Sequence, residues 1–451
     1  MFKTLKNAWK TPELQKKMLF TLFIVLLYRL GACICVPYVS ANISTSFESL
    51  YGSSVLGLMS ILSGGAMQYA TLFALSVSPY ITASIVIQLL TIAIPALERW
   101  AKDGANGQKK IAALTRYVTV ALALVTSYGY SMLLKTQGWL VKSDVFAMFV
   151  INASFCAGAA LVMWLAELIN EKGIGNGISI ILFANIVSTL PGMVISMWDG
   201  IIMNSYVSSK PVSILIGAAI TLAVLALVVA TIGFVVWVTN SERRIPIQYA
   251  KRVVGRKMYG GQATNLPIKL NMTGVMPIIF ASSIVSIPAT IVAFIPQGKW
   301  KGFVSFVESF LSPTAWPYLV LYLLLIIAFS YFYVMISFNP VEVANNIAAN
   351  GGSVRGMRPG RPTVQYIQKI LKRVTLIGAF FLCIVAGLPM LVTVVTTAIS
   401  TLNPTLAQKL PDLSILTFGG SSLLIVVGVA LETVRDLEAQ LSLRASKGFL
   451  G

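Results

Sequence analysis

Charged positions in this chain are bunched, and between the bunches lie ten segments that are apolar almost throughout: 18–38, 70–97, 112–134, 145–168, 177–197, 212–238, 273–296, 316–338, 374–396 and 413–431. Each approaches or exceeds the run of about 20 apolar residues that a helix needs to cross a bilayer. An eleventh run, Val55 to Leu62, is uncharged but too short to span. Ser63-Gly64-Gly65 separates it from the second segment, Ala70 to Leu97, which carries no charge. As one helix that segment of about 28 residues would measure ~42 Å. Irregular backbone at membrane depth is tolerated only inside protein or beside a water-filled cavity, so the glycine break predicts an enclosed cavity.

An even number of spans puts both termini on one side. Lysine and arginine decide which side. One set of connections holds Lys135, Lys142, Lys210, Lys299, Lys301 and Lys409, Arg29 lies inside the first segment, and every other basic residue falls on the opposite face. By the positive-inside rule that opposite face, with residues 1–17 and 432–451, is cytoplasmic. Five spans in each half (18–197 and 212–431, joined by an external hinge at 198–211) mean that the second half is inserted upside down, and inverted repeats place the working site near the midplane between them.

Two cytoplasmic loops exceed what a connection requires. Residues 239–272 interleave Arg243, Arg244, Lys251, Arg252, Arg256 and Lys257 with Ile245, Ile247, Tyr249 and Tyr259 before Gly260-Gly261, a pattern that predicts a short hairpin. Residues 339–373 open at Asn339-Pro340 as a helix start and stop at Asn350-Gly351-Gly352. They then present Arg355, Arg358 and Arg361 among Gly356, Pro359, Gly360 and Pro362, and Thr363 to Val374 reads as a basic helix entering the ninth span. Such long, rigidly framed arginine tips suit docking of an acidic surface, either RNA phosphate or an acidic protein face.

Composition agrees with the pattern: 57% of the 451 residues are hydrophobic and 11% are charged, which excludes a soluble globular domain. The lysines of residues 1–17 precede an apolar run that continues past any cleavage site, so the first segment reads as a retained helix and not a cleaved leader. Cys33, Cys35, Cys156 and Cys383 all fall in apolar segments without a CxxC pattern, and the chain has no histidine. They read as inert core residues, and no metal site or cofactor is expected. No Ser/Lys, paired-Asp or metal set lies within the spans, which argues against an intramembrane enzyme. A secondary transporter generally needs buried carboxylates, and Arg29 is the one charge clearly inside a span, with Glu167 and Glu432 at helix ends. The centre is therefore expected to be apolar, as befits a seal that excludes ions by dewetting yet deforms. Val77 with Ile81 and Ile178 with Leu182 are i,i+4 pairs that could face it, a spacing any spanning helix offers.

The motifs carry a resemblance that runs nearly end to end. They are Ser63-Gly64-Gly65-Ala66, Pro79-Tyr80-Ile81, Ala83-Ser84-Ile85, Ile87-Gln88-Leu89-Leu90, Gly173-Ile174-Gly175-Asn176-Gly177-Ile178-Ser179-Ile180, Tyr249-Ala250-Lys251-Arg252, Phe280-Ala281-Ser282-Ser283, Phe338-Asn339-Pro340, Arg358-Pro359-Gly360 and Gly419-Gly420-Ser421-Ser422-Leu423-Leu424-Ile425. With them the chain resembles the SecY family, the central subunits of the bacterial Sec protein-conducting channel. The glycine-rich motif at 173–177 opens a span and is no nucleotide fingerprint.

The resemblance implies an all-α polytopic membrane protein whose ten transmembrane helices form two inverted five-helix halves around an hourglass pore. It implies a waist ring of Val77, Ile81, Ile178, Leu182, Ile279 and Ile425, with Val77 and Leu182 where isoleucine is frequent in the family. Beneath the ring it places a movable plug, Ser53-Ser54-Val55-Leu56-Gly57-Leu58-Met59-Ser60-Ile61-Leu62-Ser63-Gly64-Gly65. A lateral gate lined by Thr82, Gln88, Asn271, Ser282 and Ile287 would lie between the second and third spans and the seventh and eighth, its seam held by a few hydrogen bonds. Lys251, Arg252, Arg355, Arg358 and Arg361 would dock the ribosome and the SecA ATPase. SecE and SecG are the implied membrane partners, and signal peptides, nascent polypeptides and the lipid bilayer the other contacts. No Walker sequence occurs, so the push on the polypeptide would come from a partner. The competing expectation is a secondary transporter of small solutes.

Overall fold

The computed structural model describes residues 2–40, 43, 44, 46, 47, 55–202, 211–249, 252–254, 257–259, 263–293, 302, 306, 307, 310, 311, 315–402 and 414–447. The chain opens with α1 (Phe2–Lys10), a short helix with exposed Lys6 and Lys10 and buried Ala8, followed by α2 (Pro12–Gly31). Proline at the first position of α2 gives up an N–H that has no helical acceptor there. The short apolar run is indeed a helix, α3 (Val55–Leu62).

The second segment departs from the expected continuous span. Residues 63–77 form turns, with positive φ at Gly64, Gly65, Ala70 and Ser76, and the helix α4 (Ser78–Ala93) begins only beside Pro79. It ends before Pro95, which starts α5 (Pro95–Lys102), and the two are bent by 101°. Each proline is unsuited to a helix interior and suited to a first turn, so an uninterrupted apolar composition conceals two breaks.

Longer helices follow: α6 (Ala105–Thr136), α7 (Val145–Lys172), α8 (Gly177–Ile202) and α9 (Pro211–Asn240). Strands β1 (Glu242–Tyr249), β2 (Arg252–Val254), β3 (Lys257–Tyr259) and β4 (Ala263–Lys269) come next, and β2 and β3 form the expected hairpin. The chain continues with α10 (Met276–Ala293), α11 (Trp316–Ser337), α12 (Pro340–Ala349), β5 (Gly352–Val354), α13 (Arg361–Leu402) and α14 (Ser414–Lys447). Asn339 caps α12 by accepting the Val341 N–H at 3.2 Å. By length and composition Ala105–Thr136, Val145–Lys172, Trp316–Ala349 and Arg361–Leu388 are each able to cross a membrane, and the bent α4–α5 pair adds a fifth. Every one of the ten expected segments is represented by a helix among the described residues.

The halves meet along two lines. On one, α10 packs against α3, α4 and α6; on the other, α8 packs against α9 and α14. Between them a buried apolar cluster draws residues from both halves. The two long loops are not separate: β1 pairs antiparallel with β4 and, on its other edge, with β5, giving a three-stranded sheet. Ile245, Ile268 and Val354 pack that sheet onto Val334 of α11 and onto Leu371 and Val374 of α13. Cys33 and Cys35 differ from expectation, because α2 stops at Gly31 and both thiols are exposed in the turn beyond it; Cys156 and Cys383 are half-buried in α7 and α13.

The irregular stretch is bonded to its surroundings. Leu72 N–H donates to Ile34 C=O (2.8 Å), Val36 N–H to Ala70 C=O (3.2 Å), and the buried Tyr130 hydroxyl to Met67 C=O (2.5 Å). Gly158 of α7 lies directly against the Leu72 carbonyl, where a Cβ would collide with backbone. Gly158→Val should therefore lower stability by about 1–3 kcal/mol, read as a lower thermal unfolding midpoint in detergent; an unchanged midpoint would refute this packing.

Candidate functional site

Val77 sits at the N-cap of α4 and Ile81 one turn inside it; Ile178 and Leu182 occupy the first turns of α8, Ile279 the first turn of α10, and Ile425 lies within α14. Five of these six side chains are buried in the central apolar cluster, and Ile178, partly buried, packs against it. The side chains thus come from both halves and from four helices, and no Asp, Glu, Lys or Arg is buried among the described residues.

The short helix α3 lies alongside, packed against α8 and α10. Leu56 joins a second cluster with Val36, Met67, Ala70 and Tyr130, while Ser60 and Ser63 are buried. Its last residue, Leu62, borders a small void together with Ile278, Ser282, Tyr318, Tyr322, Met390 and Ile425, so the end of the short helix and one of the six aliphatics face the same space. Ser53 and Ser54 lie outside the described residues.

At the C-terminal end of α3 the chain turns sharply. Gly65 N–H reaches back to Ser60 C=O (2.8 Å) and Ser63 Oγ both donates to Ser60 C=O (2.9 Å) and accepts the Met67 N–H (3.1 Å). The Leu62 carbonyl is met instead by a side chain: Asn185 Nδ2 of α8 lies 2.8 Å from it, 2.9 Å from Tyr28 Oη of α2 and 3.2 Å from Ser76 Oγ, its two hydrogens shared among the three acceptors. Arg29 Nη1 approaches Asn185 Oδ1 at 3.5 Å and lies against Gly64. Sequence reasoning picked out Arg29 and missed Asn185, whose only signal is a single amide about one turn past Leu182 in a largely apolar helix.

Thr82, Gln88, Ser282 and Ile287 lie on α4 and α10, the elements in contact along the first seam, and Asn271 precedes α10. The bonds made by Thr82, Ser282 and Asn271 do not cross this seam. Thr82 Oγ1 donates to Ser78 C=O (3.1 Å) and Ser282 Oγ to Ile279 C=O (2.9 Å), each within its own helix. Asn271 Oδ1 accepts from Thr273 Oγ1 (3.3 Å), and Gln88 Oε1 is buried without a partner. Ile287 is partly open at the edge.

Of the basic candidates, Arg355, Arg358 and Arg361 are exposed on the loop between β5 and α13. Gly356 and Gly360 hold positive φ there, Arg355 N–H donates to Pro246 C=O of β1 (3.4 Å), and Thr363 Oγ1 donates to Arg358 C=O (2.8 Å). Arg252 begins β2, its side chain not described, and Lys251 lies outside the described residues. Nearby, burial holds the Lys269 ammonium below its usual range, helped by Arg435 and opposed by Glu242 and Glu438.

The SecY family model matches residues 71–434. A protein translocase subunit SecY of Streptomyces scabiei is 41% identical over the full length of both chains, and one of Mycobacterium tuberculosis is 40% identical over 98% of both. A solved protein-conducting channel superposes with a TM-score of 0.60 at 15% identity, covering 94% of this chain and 92% of that one. Sec61 in a canine ribosome–channel complex from the endoplasmic reticulum gives 0.57 at 14% identity with the same coverage. Those two likenesses establish the fold; the full-length identity and the family match establish that this chain belongs to the SecY family.

Proposed function

We propose that this chain is the central pore-forming subunit of a bacterial Sec translocon, which conducts unfolded secretory polypeptides across the plasma membrane and releases transmembrane segments into lipid through a lateral gate. The observation that carries the reading is the gathering of aliphatic side chains from four helices of both halves in a buried, uncharged cluster, with a short helix lodged beside it. Val77, Ile81, Ile178, Leu182, Ile279 and Ile425 act as the waist ring: branched aliphatics hold water and ions out when the pore is empty and yield around a polypeptide. Residues 53–65 act as the plug, and the seam between α10 and the α4–α6 pair as the lateral gate. A small-solute transporter finds less support, because its binding site would bring carboxylates to this same centre, and no Asp or Glu is buried among the described residues.

Residues 18–197 and 212–431 form the two halves, with 198–211 as the external hinge, of which 203–210 lie outside the described residues. Both termini and the two loops at 239–272 and 339–373 are cytoplasmic, and the channel performs no chemistry of its own. The exposed arginines at 355, 358 and 361 engage the SecA motor and the ribosome, whose acidic groups and phosphates pair with guanidinium forks. SecE and SecG accompany the chain in the membrane.

A secretory chain stalled in transit should crosslink to cysteines introduced at Ile81 and Ile425; crosslinks elsewhere and at neither position would defeat the central pore. Charge reversal by Arg358→Glu should reduce export of a SecA-dependent precursor at least about tenfold while the chain still inserts at normal abundance. Undiminished export in vesicles carrying that variant would remove Arg358 from the docking surface.

A further inference from the structure

We propose that Asn185 is a positioning residue that latches the plug, releasing α3 only when its bond to the Leu62 carbonyl is broken. This inference rests on the reading of α3 as the plug. The amide orientation follows from its partners, because the Leu62 carbonyl only accepts and the Arg29 guanidinium only donates, so Nδ2 faces the first and Oδ1 the second. Asn185 is fully buried, one turn beyond Leu182 on the side of α3, and it joins three parts of the first half at one point: α2 through Tyr28, the irregular stretch through Ser76 and α3 through Leu62.

The carbonyls at a helix end lack helical donors, and the end as a whole carries partial negative charge. Asn185 supplies the donor for Leu62, and Arg29 supplies positive charge beside Gly64. These contacts exist only while α3 is seated. An interaction present in one of two states biases the equilibrium toward that state by its full differential strength. The arrangement is also reversible. When α3 leaves, Asn185 keeps Tyr28, Ser76 and Arg29 as partners, so no amide hydrogen is stranded in the wall of the pore, and the Leu62 carbonyl moves to where water reaches it. A departing plug therefore gives up one side-chain hydrogen bond and one charge contact, which biases the resting equilibrium toward the seated state and leaves a passing polypeptide able to displace it.

The test uses the purified complex in proteoliposomes and the same chain in cells, comparing wild type, Asn185→Leu, Asn185→Asp and deletion of residues 55–62. Both substitutions remove the donor to Leu62; aspartate retains a partner for Arg29 and serves if the leucine variant accumulates poorly. The latch predicts a resting ion leak raised about fivefold, the shift that one lost hydrogen bond produces, and export of precursors with crippled signal sequences. If deletion of 55–62 leaks while neither substitution does, the latch is overturned and the plug reading stands. If the deletion does not leak either, both fall. A lowered unfolding midpoint without leak or relaxed signal requirement would make Asn185 merely structural and overturn the proposal.

Discussion

Backbone that leaves helical geometry at membrane depth must find its hydrogen bonds in protein, and residues 63–77 impose that demand on everything around them. Their N–H and C=O groups reach the turn after α2 through Ile34 and Val36, and the Tyr130 hydroxyl of α6. Phe73 stacks on Tyr28 at 5.3 Å, and Gly158 admits the Leu72 carbonyl where any side chain would exclude it. The first half is thus folded around this stretch, and α3 is held between the halves by the turn that the stretch makes. The irregular segment is accommodated because the first half encloses it and meets its backbone groups.

The two lines of contact between the halves differ in kind. Along the α4–α10 seam the hydroxyls of Thr82 and Ser282 are satisfied inside their own helices. With those hydroxyls turned inward the contact there is largely apolar, and lipid tails offer an apolar side chain nearly as good a neighbour as another helix does. A seam bonded across would leave unpaired polar groups facing lipid on separation; this one would strand little beyond what is already unpaired, since Gln88 Oε1 is buried without a partner. On the other side α8 packs on α9 and α14, and α14 is joined to the N-terminal segment as well: Ala8, Leu14, Ile174 and Leu437 form one apolar cluster, and Lys17 Nζ donates to Gln440 Oε1 at 3.2 Å.

Much of this was legible in the sequence because apolar length is a strong signal: all ten segments correspond to helices, and Asn339-Pro340 and Gly351 mark the ends of α12. The breaks at Pro79 and Pro95 were not, since residues 70–97 read as equally apolar whether helical or turned, and hydropathy does not report backbone geometry. Cys33 and Cys35 were misassigned for the same reason, α2 stopping short of the end of its apolar run. Strand β5 is three residues, too short for any alternation to show, and its pairing with β1 joins residues a hundred positions apart. Asn185 had no periodic signature, since one amide in a span acquires meaning only from what faces it. Val77 with Ile81 and Ile178 with Leu182 were legible as i,i+4 pairs, whereas Ile279 and Ile425 entered only through the family resemblance.

The strand that sequence reading overlooked decides how the basic loops are mounted. Because β5 pairs with β1, the arginine loop leaves an edge of the same sheet that the first loop builds, and Pro246 C=O holds the Arg355 backbone in place. The glycines at 356 and 360 take conformations that other residues rarely adopt, which keeps the loop compact and aims the three guanidinium groups outward. Its apolar underside rests on Val334 of α11 and on Leu371 and Val374 of α13, all in the second half, and no strand comes from the first. A body bound to these arginines therefore grips one half of the molecule, and the sheet itself offers no resistance to separation along the α4–α10 seam. Under the proposed roles, docking and opening would be mechanically independent within the chain: the platform is stiffened by the ladder of backbone hydrogen bonds that its two loops share, and no strand pairing joins the helices of the seam among the described residues.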